Sequence, residues 1–240
     1  AASDVYKRQE EYWRVSCSYK LSKKNYMKKL NIFFIILFFT NSLISQNLIG
    51  AWERIQKNES GIKEKQIVIF SSNGYQSISI FNAENGSFIY TNGGTWKLNG
   101  DYLTEKVEFD TGNSERVGSE VTFKIIIKKN SLAVAGEKKW KRVDDGKPGK
   151  LEGAWLMQGR FRDGKKQLRN TDRPRKTMKI LSGKRFQWIA YNTETKKFMG
   201  TGGGTYTTID GKYTENIEFF SRDDSKSVSY THLTLPTNGE

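Results

Sequence analysis

"NLIGAWER", residues 47–54, returns in altered form as "KLEGAWLM", residues 150–157, with Gly50 and Gly153 standing 103 positions apart. Downstream, "GYQSISIFNAENGSFIYTNGGTWKLNGDYLTEKVEF" (74–109) lies over "KRFQWIAYNTETKKFMGTGGGTYTTIDGKYTENIEF" (184–219) at a fixed offset of 110. Asn82 meets Asn192 and Phe88 meets Phe198, Gly93-Gly94-Thr95-Trp96 meets Gly203-Gly204-Thr205-Tyr206, and Val107-Glu108-Phe109 meets Ile217-Glu218-Phe219. Chance similarity to one motif would not hold one register over 36 positions, so the chain reads as a tandem duplication. The change of offset puts seven extra residues between the first two strands of the second copy.

The periodicity within the first copy is that of strands. "VTFKIIIKK" places Val121, Phe123, Ile125 and Ile127 on one face, "QSISIF" alternates serine with isoleucine, and "KWKRV" puts Trp140 and Arg142 side by side. Turn signals separate the runs at Ser72-Asn73-Gly74, Asn85-Gly86, Asn99-Gly100 and Asn130-Ser131. Eight strands are expected between Leu48 and Val143, joined by short loops. A meander of that kind leaves two unpaired edges unless it closes, so the fold class is all-β, an up-and-down antiparallel eight-stranded barrel. A barrel of eight strands has room for side chains or for one small ligand.

Gly50-Ala51-Trp52 resembles the Gly-x-Trp that opens lipocalins, and Trp140-Lys141-Arg142-Val143 stands where their last strand would be. "YLTEKVEF" and "KYTENIEF" are similar to a Tyr-x-Glu-x-Ile stretch of lipocalin-like domains of unknown function in bacterial exported proteins. The resemblance covers 48–143 fully and 151–225 in part. It implies a barrel floor made by Gly50, Trp52, Trp140 and Arg142, with Arg142 packed across the Trp52 ring. In the second copy it implies matching roles for Gly153, Trp155, Tyr213 and Glu215.

The ends and the first forty-five residues read differently. "AASDVYKRQ" and "SYTHLTLPTNGE" resemble translated adapter sequence, so residues 1–26 and 229–240 are expected to be non-native. "MKKLNIFFIILFFTNSLISQ" has two lysines, an apolar run from Leu30 to Phe39 and a polar exit. That pattern predicts a signal peptide over 27–45, helical and hydrophobic, cleaved near Ser45, with export to the periplasm or beyond. Membrane contact is expected only through an uncleaved leader. The mature chain then comprises a barrel over 46–144, a linker over 145–150 and a second barrel over 151–228.

Trimming decides which chemistry is available. The only cysteine is Cys17 and the only histidine is His232, both outside the expected mature domains. Cysteine and histidine catalysis and the usual zinc sites then lack their residues, and neither metal nor cofactor is expected. Of the net charge of +14, residues 1–26 carry +3 and the leader +2, leaving +9. Residues 159–185 hold 11 basic residues against Asp163 and Asp172. This stretch is expected to be a solvated loop or an anion-attracting rim, and no nucleic-acid partner is expected for an exported chain.

Glu105 and Glu108 recur as Glu215 and Glu218. On a strand, a spacing of three sends two carboxylates to opposite faces, which argues against a paired-carboxylate hydrolase. Glu105 shares its alternation with Val107 and Phe109, so one inward carboxylate per barrel is expected, with Arg54 as its partner. Glu105, Tyr102, Trp96, Tyr90 and Arg54 are the candidate ligand contacts. The second copy lacks a Trp-x-Arg finish and is expected to hold about five strands. Its open edge is expected to leave it poorly packed or paired with another chain; the sequence leaves oligomeric state open. The expected function is non-enzymatic, a small and mostly apolar ligand held in the barrel. The alternative is a structural or interaction module of the cell envelope with filled barrels.

Overall fold

Alternating strands joined by tight turns have only their neighbours to pair with, and here they close on themselves. The structure is a computed structural model that describes residues 48–136, 140–147, 149–222 and 230–234. The upstream segment 1–26, the expected leader over 27–45 with its expected cleavage point, Cys17, and residues 223–229 and 235–240 lie outside the described residues.

Strands β1 (Gly50–Lys57), β2 (Lys63–Phe70), β3 (Tyr75–Asn82), β4 (Phe88–Asn99), β5 (Tyr102–Asp110), β6 (Glu120–Lys128), β7 (Ser131–Val134) and β8 (Trp140–Asp144) follow one another antiparallel. β8 returns to β1, with Trp52 opposite Arg142, and the barrel is closed. A 3-10 turn at Ser114–Arg116, capped by the Asn113 side chain, joins β5 to β6. Inside, Trp52, Phe70, Trp96, Leu103, Ile125 and Trp140 belong to one buried cluster. The eight-stranded antiparallel barrel is consistent with a lipocalin-like fold.

Beyond it come β9 (Gly153–Leu156), β10 (Gly159–Arg162), β11 (Lys165–Leu168), β12 (Arg175–Leu181), β13 (Arg185–Asn192), β14 (Lys197–Ile209), β15 (Lys212–Phe220) and β16 (Tyr230–Thr234). β10 and β11 form a separate hairpin within the basic stretch expected to be a loop, and the other six form one open sheet in the order β16-β15-β14-β13-β12-β9. Five strands were expected, with Tyr230–Thr234 in the tail. Those residues instead pair along β15, with Tyr213 opposite Leu233 as Leu103 is opposite Phe123 in the barrel. Backbone groups along the edge of β15, which would otherwise be unpaired, bond to β16 there.

The expectation of poor packing also fails. The outer face of the barrel and one face of the open sheet share a core that contains Ile67, Ile69, Phe81, Met178, Ile180 and Ile189. Its aromatic contacts come in exchanged pairs. Phe81 stacks on Phe219 at 4.8 Å and Phe109 meets Tyr191 at 5.0 Å, and adding 110 to one member of either pair gives a member of the other. Phe88 stacks on its own counterpart, Phe198, at 6.0 Å. Such reciprocity is what a two-fold interface between similar surfaces produces. The apolar face that an incomplete barrel would expose is buried here against the neighbouring barrel.

A β-bulge makes this possible. Between β4 and β5, Gly93 is opposite Phe109 but Gly94 is opposite Val107, leaving Glu108 as the extra residue. The extra residue reverses the alternation, so Phe109 leaves the face of Glu105 and joins the core between the sheets. The expected common face of Glu105 and Phe109 is therefore corrected, and the same bulge at Gly203 and Gly204 corrects it for Glu215 and Phe219. At Gly94 a Cβ would lie 1.9 Å from the Lys106 carbonyl oxygen and 2.8 Å from the Glu108 nitrogen. Substituting Gly94→Ala is expected to cost about 3 kcal/mol by forcing the two strands apart. Thermal unfolding followed by circular dichroism checks this, and an unchanged midpoint would show that the bulge tolerates a side chain.

Candidate functional site

The closed end of the barrel is built around Trp52. Its indole Nε1–H donates to the Leu48 carbonyl at 3.0 Å, and the Arg142 guanidinium lies 3.9 Å from the ring centroid. Arg142 Nε also donates to the Lys129 carbonyl at 2.8 Å and Nη1 to the Ile49 carbonyl at 3.1 Å. Arg142 therefore ties the first strand, the last strand and the β6–β7 turn together. Gly50, at φ +114°, begins the strand where a Cβ would sit 2.2 Å from the Asp144 carbonyl oxygen. Trp155 repeats the indole bond, to the Leu151 carbonyl at 3.0 Å, but it is 56% exposed. The reason is topological: among the described residues, β9 pairs with β12 alone, so no strand brings an arginine across it. Gly153 keeps the positive φ, at +135°.

Above this floor lies a cavity of about 230 Å³. Its walls are mostly apolar, including Val68, Phe70, Ile78, Leu103, Phe123 and Trp140. Its polar groups include Glu105, Gln76, Tyr90, Arg54 and Arg116. Three of the expected contacts, Glu105, Tyr90 and Arg54, therefore meet there. Trp96 belongs to the surrounding core, with its Nε1–H bonded to the Tyr75 carbonyl at 3.0 Å. Tyr102 is a correction: it is 55% exposed, because alternation from the inward Leu103 turns it to solvent.

The predicted Arg54–Glu105 ion pair is also corrected. Arg54 donates from Nε to Gln66 Oε1 at 2.6 Å and lies 4.6 Å over the Trp140 ring. Arg116 is the cation that acts on Glu105, but it spends its short bond, 2.7 Å from Nη1, on Asp110 Oδ2. Asp110 is further held by the amides of Gly112 and Asn113, at 2.9 and 3.0 Å. Glu105 is 4% exposed and its Oε1 has no hydrogen-bond partner among the described residues. Burial pushes its carboxyl from the ordinary 4.5 up to about 7, while Arg116 and a hydrogen bond from Gln76 oppose the rise. Burial and the neighbouring Asp110 raise Tyr90 to about 12.

Gln76 was within reach of sequence reasoning, since it shares the alternation of Ile78 and Ile80 on β3. Arg116 was not, because it enters from the 3-10 turn, where no periodicity fixes direction. Glu108 lies on the opposite side from Glu105, as the spacing predicts, and accepts a bond from the Tyr191 hydroxyl at 2.5 Å.

A larger polar recess, about 950 Å³, lies at the junction of the two sheets beside Arg142, Asp144 and Lys184. Its buried carboxylate is already committed. Asp144 accepts from Ser182 Oγ at 2.8 Å and from the amides of Gly183 and Lys184 at 2.9 and 3.0 Å, which clasps the β12–β13 turn. Among the described residues, no three His, Cys, Asp or Glu side chains converge on a point that could hold a metal ion. Comparison with known proteins returned no match to a family model, a curated protein or a solved structure.

The proton on Glu105 makes stability depend on pH. Between about pH 4.5 and 7 the folded chain keeps a proton that the unfolded chain has lost, so stability falls as pH rises through that window. The loss approaches about 3 kcal/mol above it. Glu105→Gln is expected to flatten the urea-unfolding profile between pH 5 and 8 and to be the more stable form at pH 8. An unaltered slope would mean that Glu105 has found a compensating partner.

Proposed function

We propose that this chain is an exported, non-enzymatic pair of lipocalin-like units, the second incomplete, whose first barrel holds a small and mostly apolar ligand. The observation that carries this reading is the Glu105 carboxylate, which lines a mostly apolar cavity and whose Oε1 has no hydrogen-bond partner among the described residues. A buried carboxylate without a full set of partners costs several kcal/mol, and a bound donor would recover part of that. Few polar groups set among apolar walls are the usual make-up of a small-molecule site. The exchanged aromatic pairs support the duplication, and the Trp52–Arg142 contact supports the lipocalin-like reading.

The second reading is a structural module of the cell envelope. One observation favours it: about 230 Å³ is below the roughly 300 Å³ at which typical ligand pockets begin. Native mass spectrometry of the chain, exported from a bacterial host and purified gently, separates the two. A reproducible added mass, absent from folded Glu105→Gln, is expected. A clean mass, together with no uptake of a hydrophobic probe, would favour the structural module.

A further inference from the structure

The two sheets hold a buried carboxylate at the same register position and supply it differently. Glu215 is opposite Tyr206 as Glu105 is opposite Trp96. In the open sheet, Glu215 pairs with the Lys179 ammonium and accepts the Tyr213 hydroxyl at 2.6 Å. The same ammonium lies 5.4 Å from the ring centroids of Phe186 and of Tyr213. Lys179 sits between Trp155 and Trp188 across its two ladders, and Val68 sits between Trp52 and Ile78 at the matching place in the barrel. Tyr213, opposite Thr208, matches Leu103, opposite Leu98. Phe186, opposite Leu181, matches Gln76, opposite Phe70.

Val68, Leu103 and Gln76 all line the cavity, so the barrel is hollow where the open sheet places an ammonium, a phenol and a ring. The carboxylate is present in both sheets, and its lysine in the open sheet alone. We propose that the barrel cavity takes a small primary amine with an apolar body, its ammonium bound to Glu105 where Lys179 Nζ binds Glu215. This rests on the reading of the barrel as a ligand carrier. An anionic ligand is disfavoured, because Glu105 lines the space with the Asp110 carboxylate close enough to act on it, while Arg116 is bonded to Asp110 and Arg54 to Gln66. Phe70, Phe123 and Trp140 supply walls for a ring or a short alkyl chain.

The experiment titrates the whole chain with 2-phenylethylamine, 2-phenylethanol and 3-phenylpropionate, followed by calorimetry and by tryptophan fluorescence, since Trp140 lines the cavity. The amine is expected to bind at least tenfold more tightly than the alcohol at pH 7.5, and the acid not at all. Its affinity should rise from pH 6 to pH 8 as Glu105 releases its proton, while Tyr90 stays neutral; the other charged groups around Glu105 are Asp110, Arg116 and Arg54. Glu105→Gln should erase the preference for the amine. Val68→Lys, which supplies the ammonium from within, should fold and exclude the amine. If that variant fails to fold, Glu105→Gln alone decides. Equal or tighter binding of the alcohol, or a preference that survives Glu105→Gln, would overturn the amine assignment and leave the carrier reading standing. Failure of all three probes to bind would overturn both.

Discussion

At Gly94 and again at Gly204 the neighbouring strand comes so close that a Cβ would lie 1.9 Å from a carbonyl oxygen, of Lys106 in one case and Asn216 in the other. That approach permits one extra residue, Glu108 or Glu218, to enter the ladder, and the extra residue turns the strand over. The consequences run in both directions along β5. Toward its start, Leu103 and Glu105 face the interior; toward its end, Phe109 faces the other sheet, against Tyr191. Without the bulge, Phe109 would occupy the space beside Glu105 and the outer face would lose one of its central rings. The interface and the cavity are thus two products of one backbone irregularity.

The displaced carboxylates are used at that interface. Glu218 bonds Arg185 through both oxygens, at 2.6 and 2.9 Å, and reaches Lys65 of the barrel at 3.1 Å. Those cations hold its carboxyl below the ordinary carboxylate value, in spite of burial. Glu108 makes the reciprocal reach toward Tyr191, whose hydroxyl proton is held far more firmly than usual by burial and by the glutamate. Glu105, only three residues before Glu108, has the opposite fate. Its Oε1 has no such donor among the described residues, and burial dominates its titration.

How far the sequence could be read follows from where strand alternation holds. Eight strands, their closure and the pairing of Trp52 with Arg142 were legible, because spacing, turn residues and the Gly-x-Trp resemblance point the same way. The positions of Phe109 and Phe219 were not, since a bulge at paired glycines changes direction without changing composition. Tyr102 was misplaced for a simpler reason: an aromatic residue was weighed by type, although its parity opposed that of Leu103. The partner of Glu105 failed because Arg54 has a competing acceptor, Gln66, directly across the ladder. Nothing in the pattern of β15 indicated that the residues of β16 would extend the open sheet.

The lack of a cation bonded to Glu105 is not imposed by the fold. The same register position in the same chain accommodates a lysine, whose ammonium reaches Glu215 from β12. Val68 at the matching place in the barrel avoids the cost of burying an ammonium but leaves the carboxylate buried without its cation, as when one partner of a buried pair is removed. An apolar residue in place of Glu105 would have removed the cost altogether, as replacing both members of such a pair often does. The barrel has neither the lysine nor an apolar residue in place of Glu105, while Asp110, five residues further on, is held by two amides and Arg116. A site tuned only for stability would have resolved Glu105 in one of those two ways. Its retention in an apolar cavity accords with the proposal that it is a binding group whose partner arrives from solution.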